Sequence, residues 1–154
     1  MSLSEPQRRR ERGEAGKSFT LTNAQMDEMV RHARDAMPHE CCGVVGGVGN
    51  RASAIYMTRN VAINPATTYE AAPEDLFAAQ RAMRARGEDL IAIYHSHPQA
   101  ADAVPSGTDI RLAFYPHAVY IIIAVKAGGD ECVRGFRLYA DAETWESVSL
   151  HIIE

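Results

Sequence analysis

Eight consecutive residues, Ala118 to Val125, carry no charge, and their single polar group is the Tyr120 hydroxyl. Five of the eight are Ile or Val, and such β-branched chains favour extended backbone. Side chains alternate along a strand, so an apolar strand of this kind must be covered on both faces. The run is far short of the ~20 residues that a membrane-spanning helix needs. It is expected to form the centre of a sheet with helices packed on it.

The rest of the chain supplies those partners. Thr22 is a good N-cap with Gln25 three residues later, a capping-box spacing. Met26, Met29, Val30, Ala33 and Met37 follow at helical spacing, and Pro38 stops the helix. These methionines read as core. Cys42–Val48 is short, apolar and glycine-rich, a buried strand approached closely by other backbone. Ser53–Thr58 is its expected hairpin partner, and 60–72 reads as irregular. Pro73 opens a second helix that ends at Gly87. Strands are expected over 89–95, 118–125, 132–139 and 145–152, with a short helix over 108–114. The order α-β-β-α-β-α-β-β-β gives an α/β (α+β mixed) fold, a mixed central sheet flanked by helices.

Residues 1–19 differ. They hold Arg8, Arg9, Arg10, Arg12 and Lys17 against Glu5, Glu11 and Glu14, with almost no large apolar side chain before Phe19. This stretch is expected to be a flexible tail, and 20–154 the single domain. The whole chain of 154 residues has 16 basic against 20 acidic side chains, a net charge of −4. A mildly acidic surface without a basic stripe beyond the N-terminus argues against a nucleic-acid partner. Cys41, Cys42 and Cys132 are an odd set with no CxxC pair. Together with an N-terminus lacking an apolar signal region, they suggest a reducing, cytoplasmic setting and no membrane association.

The chemistry concentrates in Tyr94-His95-Ser96-His97-Pro98 and Pro105-Ser106-Gly107-Thr108-Asp109. Two histidines at i and i+2 leaving a strand point to one side, so their imidazoles converge. Asp109, in the first turn of the next helix, is placed to swing back toward the strand end. Two nitrogens and one carboxylate oxygen with a fourth position open is a catalytic zinc set. Bland readings stand beside it. A lone His-x-His is a weak signal, and Ser106-x-x-Asp109 is equally a helix N-cap pair. His39-Glu40 does not extend to the helical His-Glu-x-x-His motif, because position 43 is Gly43. No Pro-Cys-x-x-Cys is present for a zinc deaminase. Cys42 reads as a small buried hydrophobe, and a Cys41–His nucleophile pair is a minor alternative. His32 and His117 read as structural or exposed.

In combination, these segments resemble the metal motif of the JAMM (MPN-plus) metalloproteases. In that family an upstream glutamate completes the site, and Glu40 in Pro38-His39-Glu40-Cys41-Cys42-Gly43 matches it. The likeness runs over roughly 20–139 and includes Arg59-Asn60-Val61 and Ile93-Tyr94. One departure is that eight residues separate His97 from Ser106, where the family usually has seven. An extra residue within 99–104 either bulges out or displaces Ser106 or Asp109.

The resemblance implies a JAMM/cytidine-deaminase-like three-layer sandwich and one Zn2+ per chain, held by His95, His97 and Asp109. It implies Glu40 as general base and Ser106 as hydrogen-bond donor to the developing oxyanion. The chain is short and lacks long insertions, as in the small stand-alone prokaryotic members. Those act on ubiquitin-like sulfur-carrier proteins, cutting the amide bond after a C-terminal Gly-Gly to release an attached amino acid. The expected partner is such a carrier, its tail lying between the 60–72 and 99–104 loops. Two other readings are a non-catalytic MPN-type scaffold or binding module, which usually lacks the metal ligands, and a DNA-repair-associated role, which the charge disfavours.

Overall fold

A computed structural model describes residues 18–154. Strand β1 (Ser18–Thr22) leads into helix α1 (Asn23–Ala36), and a hairpin of β2 (Cys42–Val48) and β3 (Arg51–Thr58) follows. Then come α2 (Pro73–Arg86), β4 (Asp89–Pro98), the short α3 (Gly107–Arg111), β5 (Val119–Val125), β6 (Cys132–Tyr139) and β7 (Thr144–Ile153).

The strand order is β1-β3-β2-β4-β5-β6-β7, and β1 also pairs with β7, so the sheet curls round to meet itself. It is mixed. β4 and β5 are parallel, as are β1 and β7, while the β2–β3, β2–β4, β5–β6 and β6–β7 pairs are antiparallel. Every residue of β5 is buried, as a doubly covered strand requires. Its two side-chain rows enter different cores. Val119, Ile121, Ile123 and Val125 pack with Met29, Val30 and Ala33 of α1. Tyr120, Ile122 and Ala124 pack with Ala79 and Met83 of α2 and Ile110 of α3. The result is three layers, α1, sheet, then α2 with α3, in agreement with the expected mixed sheet flanked by helices. Each fully buried Ile or Val stabilises the fold by about 1.5–3 kcal/mol, so this strand is a large part of its stability.

The local signals decide the element ends. Thr22 Oγ accepts from Gln25 N–H while Gln25 Oε1 accepts from Thr22 N–H, closing the capping box of α1. Gly87 ends α2 with φ +71°, a conformation that glycine adopts without strain. The sequence reading did not assign β1. That strand takes in Ser18 and Phe19, which the reading grouped with the tail, and Phe19 is buried in the α1-side core. The tail expected over 1–19 lies, from 1 to 17, outside the described residues. Among the described residues, no helix is long and apolar enough to cross a membrane.

Candidate metal and hydrolytic site

β4 runs three residues past His95, to Pro98, because its pairing with β5 continues to Pro98↔Val125. His95 and His97 therefore share one face of a rigid strand. Their Nε2 atoms are 3.1 Å apart. Asp109 closes the triangle, with Oδ1 3.2 Å from His95 Nε2 and Oδ2 3.0 Å from His97 Nε2. Ligands about 2.0–2.1 Å from a zinc ion lie roughly 3.3 Å from one another in a tetrahedron, so the triangle has the size of three such corners.

The helix-cap reading of Ser106-x-x-Asp109 is realised, and it leaves the Asp109 carboxylate facing the histidines. Asp109 N–H donates to Ser106 Oγ at 3.0 Å, and Ser106 N–H donates to Asp109 Oδ2 at 2.9 Å. The cap fixes the carboxylate in the orientation that reaches both histidines. The longer loop before it does not displace the pair. Gln99 takes φ +62°, its N–H donates to Val125 O at 2.6 Å, and Ala103 is fully buried in the second core. The loop is thus pinned at both its start and its middle.

Glu40 follows α1 at the mouth of β2. Its side chain is buried, and Oε1 has no hydrogen-bond partner among the described residues. Glu40, His95 and His97 each offer a ligand atom within 4.8 Å of the others. A buried carboxylate oxygen left without a donor, beside two imidazoles and a second carboxylate, is a site that a cation completes. The donor set of nitrogen and oxygen atoms fits zinc.

The two carboxylates are held in opposite states. Burial pushes the Glu40 carboxyl up to about 7, with His97 opposing and Asp109 adding to the rise. Burial acts the same way on Asp109, but hydrogen bonds with His95 and His97 outweigh it and hold Asp109 well below the usual range. Of the histidines, His95 is shifted down by complete burial, while for His97 the hydrogen bond and charge of Asp109 overcome burial and shift it up. Environments that drive two acids apart are how a site assigns different tasks to one residue type.

Three contributors were given no role in the sequence reading, although Ser96 and Asn60 stand in segments that carry the resemblance. Tyr69 stacks on His95 with ring centroids 4.4 Å apart and planes 22° from parallel. Ser96, between the histidines, faces the other way and bonds the Cys41 main chain. Asn60 holds the Glu40 carbonyl. No local pattern marks Tyr69, since it sits in an irregular segment. The Cys41 and Cys42 thiols are buried and pushed up by that burial to about 12 and about 11, so neither is a thiolate nucleophile.

A cleft of about 560 Å³ opens from Asp109. It lies between the 62–71 segment and 108–115, lined by Ile63, Tyr69, Leu112 and Phe114 among others. No residue of 99–104 lines it. α3 ends at Arg111 rather than at Phe114, so Leu112 and Phe114 turn outward onto the rim, 51% and 74% exposed.

Fold and site together define a JAB-type domain. The family of prokaryotic homologs of the JAB domain matches residues 22–139, and the chain belongs to that family. Among its relatives, the CysO-cysteine peptidase of Mycobacterium tuberculosis is 32% identical over 126 residues, 81% of this chain and 86% of the relative. The desampylase of Haloferax volcanii is 37% identical over 102 residues, 62% of this chain and 73% of the relative. A solved structure from Desulfitobacterium hafniense superposes with TM-score 0.75 at 32% identity, covering 88% of this chain and 93% of the other. A JAB1/MPN domain protein from Archaeoglobus fulgidus, 15% identical, shares the fold with TM-score 0.60 over 88% of this chain and 98% of its own.

Proposed function

We propose that this protein is a zinc-dependent peptidase that hydrolyses the amide bond after the C-terminal Gly-Gly of a ubiquitin-like sulfur-carrier protein in the cytoplasm. The observation that carries the reading is the convergence of His95, His97 and Asp109, 3.0–3.2 Å apart, with the buried Glu40 beside them. Relatives named as a CysO-cysteine peptidase, a desampylase and, in Thermus thermophilus, a probable TtuB-protein conjugate cleaving protease support the substrate class.

His95, His97 and Asp109 are assigned as the ligands, because Asp109 is the closer and the ionised carboxylate. When bound, zinc supplies Lewis acidity, polarising a carbonyl and bringing the pKa of a water down to about 7. Glu40 accepts a proton from the attacking water as its oxygen bonds to the acyl carbon. The carbon–nitrogen bond then breaks, and Glu40 returns the proton to the leaving amine. The Ser106 hydroxyl hydrogen is left over from capping, where its oxygen only accepts, and it donates to the carbonyl oxygen as charge builds there. The cleft from Asp109 to Phe114 takes the carrier's tail, and its Ile63 rim, 97% exposed, meets the carrier itself.

The test is metal analysis followed by turnover. Elemental mass spectrometry is expected to give one zinc per chain, lost in Asp109→Ala. A carrier ending in Gly-Gly-cysteine is expected to release free cysteine with wild-type protein and about 10²–10⁴-fold more slowly with Glu40→Gln. A protein that takes up no zinc after reconstitution, or a Glu40→Gln variant as fast as wild type, refutes the reading. The scaffold alternative would then be the one to pursue.

A further inference from the structure

We infer that Asn60 and Ser96 are positioning residues that hold Glu40 from two sides, so that the loop after β3 and strand β4 jointly set where its carboxyl lies. The inference rests on the role assigned to Glu40 above.

The main-chain accounting is complete. Glu40 and Cys41 lie between a helix and a strand, where neither ladder serves all their polar groups. Glu40 N–H donates to Pro65 O at 2.8 Å, and Glu40 O accepts from Asn60 Nδ2 at 3.0 Å. Cys41 N–H donates to Ser96 Oγ at 2.8 Å, and Cys41 O accepts from Ser96 N–H at 3.1 Å. All four groups are satisfied by protein rather than by water. The bonds on Glu40 come from the 60–72 loop, and both bonds on Cys41 come from one residue lying between the two histidines. The dipeptide that carries the base is therefore tied directly to the strand that carries His95 and His97.

Asn60 is suited to this by its inventory of donors and acceptors. Its Nδ2 donates to Glu40 O, to Thr68 O at 3.0 Å and, more loosely, to Pro65 O at 3.4 Å. Its Oδ1 accepts from Ala62 N–H and Glu70 N–H, both at 3.0 Å. One amide group thus organises the loop, and the loop in turn lays Tyr69 on His95. Aspartate has the same shape and keeps the two acceptor bonds, but it sets an oxygen against the carbonyls that Nδ2 serves. Asn60→Asp thereby keeps the two acceptor bonds within the loop and removes the donor that serves Glu40 O, Thr68 O and Pro65 O.

A displacement near 1 Å at a catalytic group costs on the order of 10²-fold in rate. Asn60→Asp in the zinc-loaded enzyme is expected to lower kcat by about 10- to 100-fold, to change KM by less than about threefold and to keep one zinc per chain. The deciding measurement is a double-mutant cycle on kcat in single-turnover assays with enzyme in excess. In a Glu40→Gln background, Asn60→Asp is expected to cost nothing further, because the group it positions no longer moves a proton. If its cost is the same in both backgrounds, Asn60 is merely structural and the inference falls. Loss of zinc in Asn60→Asp also overturns it, since the effect then passes through the ligands. A Glu40→Gln variant as fast as wild type defeats the proposed function instead. Should Asn60→Asp fail to fold, Ser96→Ala carries the same cycle from the β4 side. A cost that vanishes in the Glu40→Gln background then supports the inference, and an equal cost in both overturns it.

Discussion

Replacing Glu40 by glutamine is expected to remove activity and, without metal, to make the protein more stable at neutral and alkaline pH. The second effect follows from the environment of the carboxyl. Burial, chiefly, pushes Glu40 from an ordinary 4.5 up to about 7. Below about pH 4.5 it is protonated both folded and unfolded, and the fold bears no cost. Between 4.5 and 7 the unfolded chain releases the proton and the folded chain keeps it, so the contribution of Glu40 to stability falls as pH rises. Above 7 the loss is complete. For a fully buried group the displacement corresponds to about 3 kcal/mol. Glu40 also borders a second cleft, on the side of His39 and Arg59, so solvent screening reduces the expectation to about 1–2 kcal/mol. For a chain of this size, that raises Tm by roughly 2–8 °C.

Glutamine copies the neutral acid and carries no such loss. The assay is thermal unfolding of metal-free wild type and Glu40→Gln by circular dichroism at about pH 4.5 and about pH 8, either side of the titration. The two are expected to melt together at the lower pH, with the variant higher at the upper one. Comparing them at each pH cancels the titration of groups that do not interact with Glu40. A difference independent of pH, or a wild type more stable than the variant at the upper pH, refutes the claim that Glu40 is a buried carboxyl held near neutral. In the zinc-loaded enzyme the same substitution is expected to lower kcat by about 10²–10⁴-fold, the range of a positioned general base.

Other perturbations separate the remaining parts of the site. Ser106→Ala is expected to lower kcat by about 10²–10³-fold as an oxyanion donor is lost, and to destabilise the fold by about 1 kcal/mol as the α3 cap is lost. Ser106→Thr is expected to restore most of the Tm. Zinc affinity, measured by chelator competition, is expected to weaken as pH falls from about 8 to about 6, because His97 is shifted up and must lose its proton to bind. A flat profile would remove His97 from the ligand set. Gly43→Ala drives a Cβ into the Tyr94 ring, whose hydroxyl lies 2.7 Å from His32 Nδ1. It is expected to cost about 3 kcal/mol, read as a lowered urea midpoint without a change in slope.

Where the sequence was informative, a short stretch of chain contained its own physical instruction. The capping box of α1, the doubly covered β5 and the Gly87 stop are all settled within a few neighbouring residues. The convergence of His95, His97 and Asp109 was readable for the same reason. Alternation puts His95 and His97 on one face, and the Ser106 cap aims Asp109 at them. β1 was not readable. Its two core residues, Phe19 and Leu21, are too few to establish a period, and its main pairing is with β7, at the far end of the chain. The end of α3 was not readable either: the helix stops at Arg111 rather than at Phe114, and the nearest breaker, Pro116, lies further along.

The different roles proposed for Glu40 and Asp109 rest on what no local signal carries. Both are carboxylates, both side chains are largely buried, and both lie beside the same two histidines. Neither residue type nor burial distinguishes a ligand from a base. The number of partners does. Asp109 meets His95, His97 and the Ser106 N–H, three contacts that favour its charged form. Glu40 Oε1 meets none among the described residues, so burial acts on it unopposed by any donor. That difference arises because the Ser106 cap turns Asp109 into the cluster, whereas the hydrogen bonds that fix Glu40 all fall on main chain, its own and that of Cys41. The loop that satisfies the Glu40 backbone, and leaves its carboxyl unsatisfied, is the 60–72 segment, which has no hydrophobic period because it is built round one amide side chain. An irregular stretch between two regular elements thus fixes the main chain that carries the proposed base.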